Sequence, residues 1–375
     1  MIYVTSFNPL NYRRPIFAKK ALPHLRIYYL SSYRRAGIAS YILSKLYSKI
    51  IRVEAHICKK SRSGVDYYIS ALLRDCLTSI EFKGLKENTI IALNPYLASR
   101  ILWGYKCRVV LDWMDVWMTF NGEMNSFDIR AAREADGVIF WSKPLMKLIT
   151  RRIPLKRSIY IPYGVDLSVF NPKRYGNQEY FRNKYGLRDR FVIFYSGGFW
   201  RTKDTDLQGT DKMLQAFSLV SRKLPQAVLV LQVLNLNQDI LSIIKKFGFR
   251  VRILGSLPYA SFLRQSAFAA ADVLLAPNTR HPTGYYAERM KFFQYMAAGK
   301  AIIAEETPGA LSALGDAAYY VKLGDIEGMA DAIVEIACNR EFREELGARA
   351  QMRALAFEWS KLAQIYRRFV EELSS

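Results

Sequence analysis

Short apolar runs alternate along almost the whole chain with stretches whose apolar residues recur every three or four positions. The runs predict strands at 2–7, 26–30, 52–58, 89–93, 108–112, 137–141 and 158–161, and again at 191–196, 228–233, 251–254, 273–276, 301–304 and 318–321. Continuous apolar strands separated by helical patterns are the signature of parallel sheets with both faces covered. The plan occurs twice. The break falls in "YGVDLSVFNPKRYGNQEYFRNKYGLRDR", which is rich in Asn, Gly, Pro and charge, as a linker is. Two doubly wound α/β units bind ligands at the carboxyl ends of their strands, in the cleft between them.

One stretch carries a polar residue in an apolar setting. In "MKFFQYMAAGKAIIA", Met290, Phe293, Met296 and Ala297 form a helical stripe, Gly299 stands where a helix stops, and 301–304 read as a buried strand. Gln294 interrupts the apolar pattern one turn before the helix ends. It is either a surface amide or a residue that faces a ligand.

Length and composition narrow the picture. With 375 residues, 51 % of them hydrophobic, the chain is long enough for two cores. No apolar run approaches the roughly 20 residues of a membrane span. The chain runs straight into a strand-like "MIYVTSF", so no signal peptide is expected. Cys58, Cys76, Cys107 and Cys338 have no paired or metal-ligand spacing, and His24, His56 and His281 are equally scattered. No metal site is expected, and a reducing cytoplasm is the default.

The formal net charge is +22, and residues 1–110 carry +14 of it, with 19 Lys and Arg against 5 Asp and Glu. The clusters are Arg13/Arg14, Lys19/Lys20, Arg34/Arg35 and Lys59/Lys60/Arg62, followed by Arg151/Arg152 and Lys156/Arg157. They are either a solvated surface or a face for an anionic partner, a membrane leaflet or a nucleic acid. No helix-turn-helix, RNA-binding or zinc signature supports a nucleic acid. The chain has no Walker-type phosphate loop and no G-x-G-x-x-G after its first strand.

Several stretches taken together resemble the GT-B glycosyltransferases, in particular the retaining family four: "RRPIFAKKALPHLRIYYL", "VVLDWMDVW", "EADGVIFWSKPL", "IPYGVDLSVFNP", "FYSGGFW", "GTDKMLQAF", "ILGSLPY", "AADVLLAP", "MKFFQYMAAGKAIIA" and "FEWSKLAQIYRRFVEEL". Each is loose alone; their order and spacing make the match specific. The resemblance implies two Rossmann-like domains facing a cleft, with the acceptor on the N-terminal one (1–168) and a UDP- or GDP-linked sugar on the C-terminal one (189–355). A linker at 169–188 joins them, and a last helix at 356–375 crosses back. It implies an enzyme without cofactor or metal, acting on a lipid-linked or polysaccharide acceptor from the cytoplasmic face of a membrane.

The resemblance also assigns residues. Family members bind ribose with the second of two glutamates eight positions apart; here those positions are Tyr286 and Gln294. The Gln294 amide oxygen can still accept from a ribose hydroxyl, without the charge-assisted part, on the order of 1 kcal/mol. Glu288 lies near the first position. The family's Arg and Lys on the diphosphate correspond to Gly198 and Gln208, neither of them basic. Arg201 and Lys203 in the intervening loop are therefore expected to stabilise the leaving phosphates, with Arg289 and Lys291 beside them. Gly197, Gly198, Gly255 and Leu257 complete the expected nucleotide-sugar contacts. Arg14, Asp112 and Asp115 are expected on the acceptor side, with Asp115 orienting the acceptor hydroxyl. Asp166 is expected to stabilise the interdomain turn, and Trp359 to pack. A non-catalytic protein that keeps this fold is the competing expectation, since both glutamates and both basic positions are replaced.

Overall fold

The computed structural model describes residues 1–5, 13–32, 53–58, 88–104, 106–116, 118, 122–201, 205–233, 238–245 and 250–374. It contains two parallel sheets. The first holds β1 (Ile2–Thr5), β2 (Arg26–Ser32), β3 (Val53–Cys58), β4 (Thr89–Leu93), β5 (Arg108–Trp113), β6 (Gly137–Phe140) and β7 (Ser158–Tyr160), in the order β3-β2-β1-β4-β5-β6-β7. The second holds β8 (Phe191–Gly197), β9 (Ala227–Val233), β10 (Val251–Leu254), β11 (Val273–Ala276), β12 (Ala301–Glu305) and β13 (Tyr319–Val321), in the order β10-β9-β8-β11-β12-β13. Every strand expected from the apolar runs is present. The strands are apolar on both faces because helices cover both: β4, β8-to-Ser196, β9, β11 and β12 are buried throughout.

Each sheet reverses its strand order once, at β1/β4 and at β8/β11. At such a point the connections leave in opposite directions and open a crevice above the strand ends. The segment read as a linker contains two short helices, Pro172–Tyr175 and Gln178–Tyr185. The side chains of Asn171 and Asn177 cap them by accepting from the N–H groups of Arg174 and Tyr180. Asp166 closes the turn before them, where its carboxylate accepts from Ser168 and from the Lys20 ammonium. The last helix, Trp359–Ser374, lies against helix Arg14–Ala21. Trp359 is fully buried, its ring edge-on to Phe17 at 5.3 Å and its indole N–H donating to the Tyr163 carbonyl. No described helix is long and apolar enough to cross a membrane.

Candidate functional site

The carboxyl ends of the two sheets meet around a cavity of about 430 Å³. Asn94, Met114, Asp115 and Trp141 line it from β4, β5 and β6; Ser196, Gly197, Gly198 and Gln232 line it from β8 and β9. Helix Met290–Ala298 forms one wall, through Met290, Lys291 and Gln294. The expected stripe is in fact burial all round: every residue from Lys291 to Ala298 is buried. Gly299 ends the helix at φ 62°, a left-handed conformation cheap only for glycine. Tyr295 fixes the helix to the second sheet. Its hydroxyl accepts from the Ser196 N–H (2.9 Å) and donates to the Leu275 carbonyl (3.0 Å).

Two helix N-termini stand near the cavity and differ in what fills them. At helix Thr210–Lys223 the Asp206 carboxylate accepts from the N–H groups of Gln208 (2.8 Å), Gly209 (3.1 Å) and Asp211 (2.9 Å). That end is occupied by the chain's own anion. Helix Met290–Ala298 has no side-chain cap, and its first residues line the cavity. Its free N–H groups and positive dipole end favour an anion.

Lys291 reinforces this end. The residue is 8 % exposed, and its Nζ is buried without a hydrogen-bond partner, 4.2 Å from the centre of the Tyr195 ring. Burial, with repulsion from Arg289, holds its pKa well below the usual lysine value. Arg289 reaches across the mouth of the β8 loop, donating through Nη2 to the Leu207 carbonyl (2.9 Å) and through Nη1 to Gln208 Oε1. A guanidinium thus stands beside Gln208, brought there from 81 residues further along the chain. Arg289 Nε is also buried without a partner.

The remaining expected residues fall into three groups. Arg201 lines the cavity, but both oxygens of Asp211 accept from its Nη1 at 2.7 Å, so its charge is balanced. Lys203 lies outside the described residues. Gly197, Gly198 and Leu257 line the cavity; Gly255 does not, and a side chain there would meet nothing within 4 Å.

Gln294 is 6 % exposed and lines the cavity. Its Oε1 accepts from Arg264 Nη2 at 2.8 Å, so the oxygen expected to meet a ribose is engaged. Arginine only donates, which fixes the amide orientation and leaves Nε2 for a ligand. Glu288 lines the cavity, with both carboxylate oxygens engaged. It ties the two sheets together: Oε1 accepts from the Lys143 N–H (3.0 Å) and Ser312 Oγ (2.7 Å), and Oε2 from Tyr160 Oη (2.5 Å). Beside it, Ser142 Oγ donates to the Tyr286 carbonyl (2.5 Å).

Arg14 and Asp112 are corrected from acceptor contacts to architecture. Both are 0 % exposed and neither lines the cavity. Asp112 accepts from Arg14 Nε (3.1 Å) and Nη2 (3.2 Å), from Tyr3 Oη (2.7 Å) and from Trp141 Nε1 (2.6 Å). The Arg14 guanidinium also donates to the Pro162 and Ile161 carbonyls. Asp115, three residues on, does line the cavity. Burial and the nearby Asp128 push its pKa up to about 7, against the pull of Arg289.

Sequence reasoning missed Arg264, Tyr259, Gln232, Trp200 and Asn94, all in the cavity wall. Asn94 had a signal. It precedes a proline at a strand end, and it is the one non-glycine with positive φ (71°) among the described residues. Arg264 had none, because a basic residue in "SFLRQSAF" reads as a solvated helix face.

The Glycosyl transferases group 1 family model matches residues 190–339. A phosphatidyl-myo-inositol mannosyltransferase of Mycolicibacterium smegmatis is 31 % identical over 126 residues, 33 % of this chain. That match spans 31 % of the curated relative's length. Among solved structures, Anabaena Alr3699/HepE in complex with UDP superposes with a TM-score of 0.71 at 16 % identity, covering 100 % of this chain and 98 % of the other. Sucrose-phosphate synthase from Thermosynechococcus elongatus gives 0.73 at 14 % identity, covering 99 % of both chains. At such identities the likeness is one of fold. The chain therefore has the GT-B glycosyltransferase fold, and its residues 190–339 match the glycosyl transferases group 1 family.

Proposed function

We propose that the protein is a glycosyltransferase that takes a sugar from a nucleoside diphosphate donor held in the cleft. One observation carries this reading. Eight buried side-chain polar atoms among the described residues have no partner, and five belong to the cavity wall: Gln232 Nε2, Tyr259 Oη, Arg264 Nε, Arg289 Nε and Lys291 Nζ. All five carry hydrogens to donate. Buried donors left unpaired cost about 1–3 kcal/mol each, so a wall built of them fits an acceptor-rich anion. The uncapped helix end gives that anion its seat, and Arg289 and Lys291 replace the basic pair that the sequence lacks. A relative solved with UDP supports the same donor class.

In this reading the reaction retains configuration. The acceptor hydroxyl attacks the anomeric carbon from the face on which the diphosphate leaves; the new C–O bond forms as the sugar–phosphate bond breaks, and a phosphate oxygen takes the hydroxyl proton. Arg289 and Lys291 balance the charge that develops on the leaving group, and Asp115 orients the acceptor hydroxyl. The acceptor is lipid-linked or a polysaccharide, met at the cytoplasmic face of a membrane. The basic clusters support that last point through Arg34, Arg35, Lys59, Lys60 and Arg62, which lie outside the described residues. Lys20, Lys156 and Arg157 are ion-paired within the chain.

The second reading, a fold-retaining partner protein without activity, draws on Tyr286 and Gln294 at the two carboxylate positions. Thermal shift with UDP, GDP and pyrophosphate, followed by hydrolysis assays on the corresponding nucleotide-sugars, separates the two. A rise with one nucleoside diphosphate and release of its sugar supports the enzyme. No shift with any of them, and no release, supports the partner protein.

A further inference from the structure

Three basic side chains line the cleft away from any described carboxylate partner. Lys291, Arg289 and Arg264 all line it, and none has an ion-pair partner within 4 Å among the described residues. The other charged residues of the wall do not offset them. Arg201 is balanced by Asp211, and the Glu288 oxygens are taken by Lys143, Tyr160 and Ser312. Asp115 lies in the wall too, where burial and Asp128 push its pKa up to about 7.

The three cations form two groups along helix Met290–Ala298. Arg289 and Lys291 stand at its uncapped end, where Lys291 Nζ lies 3.0 Å from the place a Gly197 side chain would occupy. Arg264 meets the same helix at Gln294, which lies about 6 Å further along at 1.5 Å per residue. A diphosphate seated on the helix end answers the first group and leaves Arg264 a turn away. The guanidinium is built in rather than stray. It lies beside the rings of Tyr259, Phe170 and Phe268, at 5.6, 5.9 and 5.9 Å from their centres, and it makes one hydrogen bond, to Gln294. An arginine held in place with unspent donors matches the planar oxygens of a carboxylate or phosphate better than a neutral hydroxyl.

We propose that the ligand of this cleft carries a third anionic group, a carboxylate or a phosphate, which Arg264 binds while Gln294 fixes the guanidinium. This rests on the nucleoside diphosphate reading above. The group comes from one of two sources: an acidic sugar such as a hexuronate, or a phosphate on the ribose.

Calorimetric titration distinguishes them. The ligands are UDP or GDP, whichever binds, its neutral-hexose and hexuronate conjugates, and the same diphosphate phosphorylated on the ribose 2′ oxygen. At low salt one acidic ligand is expected to bind about tenfold or more tighter than its neutral counterpart, the range of a charge-assisted contact. Preference for the hexuronate assigns the sugar; preference for the 2′-phosphate assigns the ribose. Arg264→Gln is expected to weaken the preferred acidic ligand about tenfold more than the neutral one. The wild-type comparison stands even where the variant folds poorly. If the nucleoside diphosphate binds and neither acidic ligand exceeds its neutral counterpart, the third-anion proposal fails and the donor reading survives. If no nucleoside diphosphate binds, the donor reading fails and takes this proposal with it.

Discussion

Two sets of buried charge lie within this molecule, and they are built in opposite ways. Arg14 and Asp112 sit beneath the first sheet's strand ends, fully enclosed, with each carboxylate oxygen accepting from at least two donors. Lys291 Nζ, Arg289 Nε and Arg264 Nε stand in the cleft wall buried and without a hydrogen-bond partner among the described residues. The first set is complete, so it can only hold the fold together. The second is incomplete, and its unpaired donors cost stability, which fits the anion site proposed above. The difference separates the two sets where residue type alone does not, since each contains enclosed arginine side chains.

The comparison can be broken most severely at the complete set. Asp112→Ala leaves the Arg14 guanidinium buried and unbalanced. The expected loss is about 3–5 kcal/mol of stability, read as a lower urea midpoint, and a variant as stable as the parent would show the pair to be ornamental. A smaller effect is expected at the tie between the sheets. Glu288→Ala strands the Lys143 N–H and the hydroxyls of Tyr160 and Ser312, at about 1–3 kcal/mol; small-angle scattering checks whether the cleft also widens.

Asp115 sharpens the comparison through pH. Its folded pKa of about 7 lies above the ordinary 3.8, so between these values the folded state holds a proton that the unfolded chain releases. Asp115 therefore lowers stability as pH rises from about 4 to 7. The parent is expected to lose stability relative to Asp115→Asn across that window, and a pH-independent difference in urea midpoint would contradict it. The smallest effect is expected at Gly255, outside the cavity wall. Gly255→Ala should change stability and nucleotide affinity by less than about 0.5 kcal/mol, and a large loss of affinity would place the nucleotide differently.

The fold was legible because it depends on patterns local in sequence. Apolar runs marked every strand, and Gly299 marked its helix end. The linker's helices were hidden, because Asn171 and Asn177 read equally well as loop residues and as caps. The site was legible in outline: Gln294, Lys291, Arg289, Gly197, Gly198 and Asp115 do meet in one cleft. What failed was the pairing of charges. Arg14 meets Asp112 across 98 residues, and Glu288 meets Tyr160 across 128. No spacing rule reaches that far, so a completed ion pair and a waiting cation look alike in the sequence. The same limit hid the exchange at Gln208, where the side chain accepts from Arg289 instead of supplying a charge of its own.

Lys291→Met tests the central claim most directly, through the titration of UDP and GDP into parent and variant with the urea midpoint of each measured alongside. The variant is expected to be at least as stable as the parent, because a desolvated amine is gone, and to bind the nucleoside diphosphate about tenfold or more weakly. A variant that loses stability while keeping the parent's affinity would mean that Lys291 belongs with Arg14 and Asp112, and that the cleft's anion site is not where its unpaired cations are.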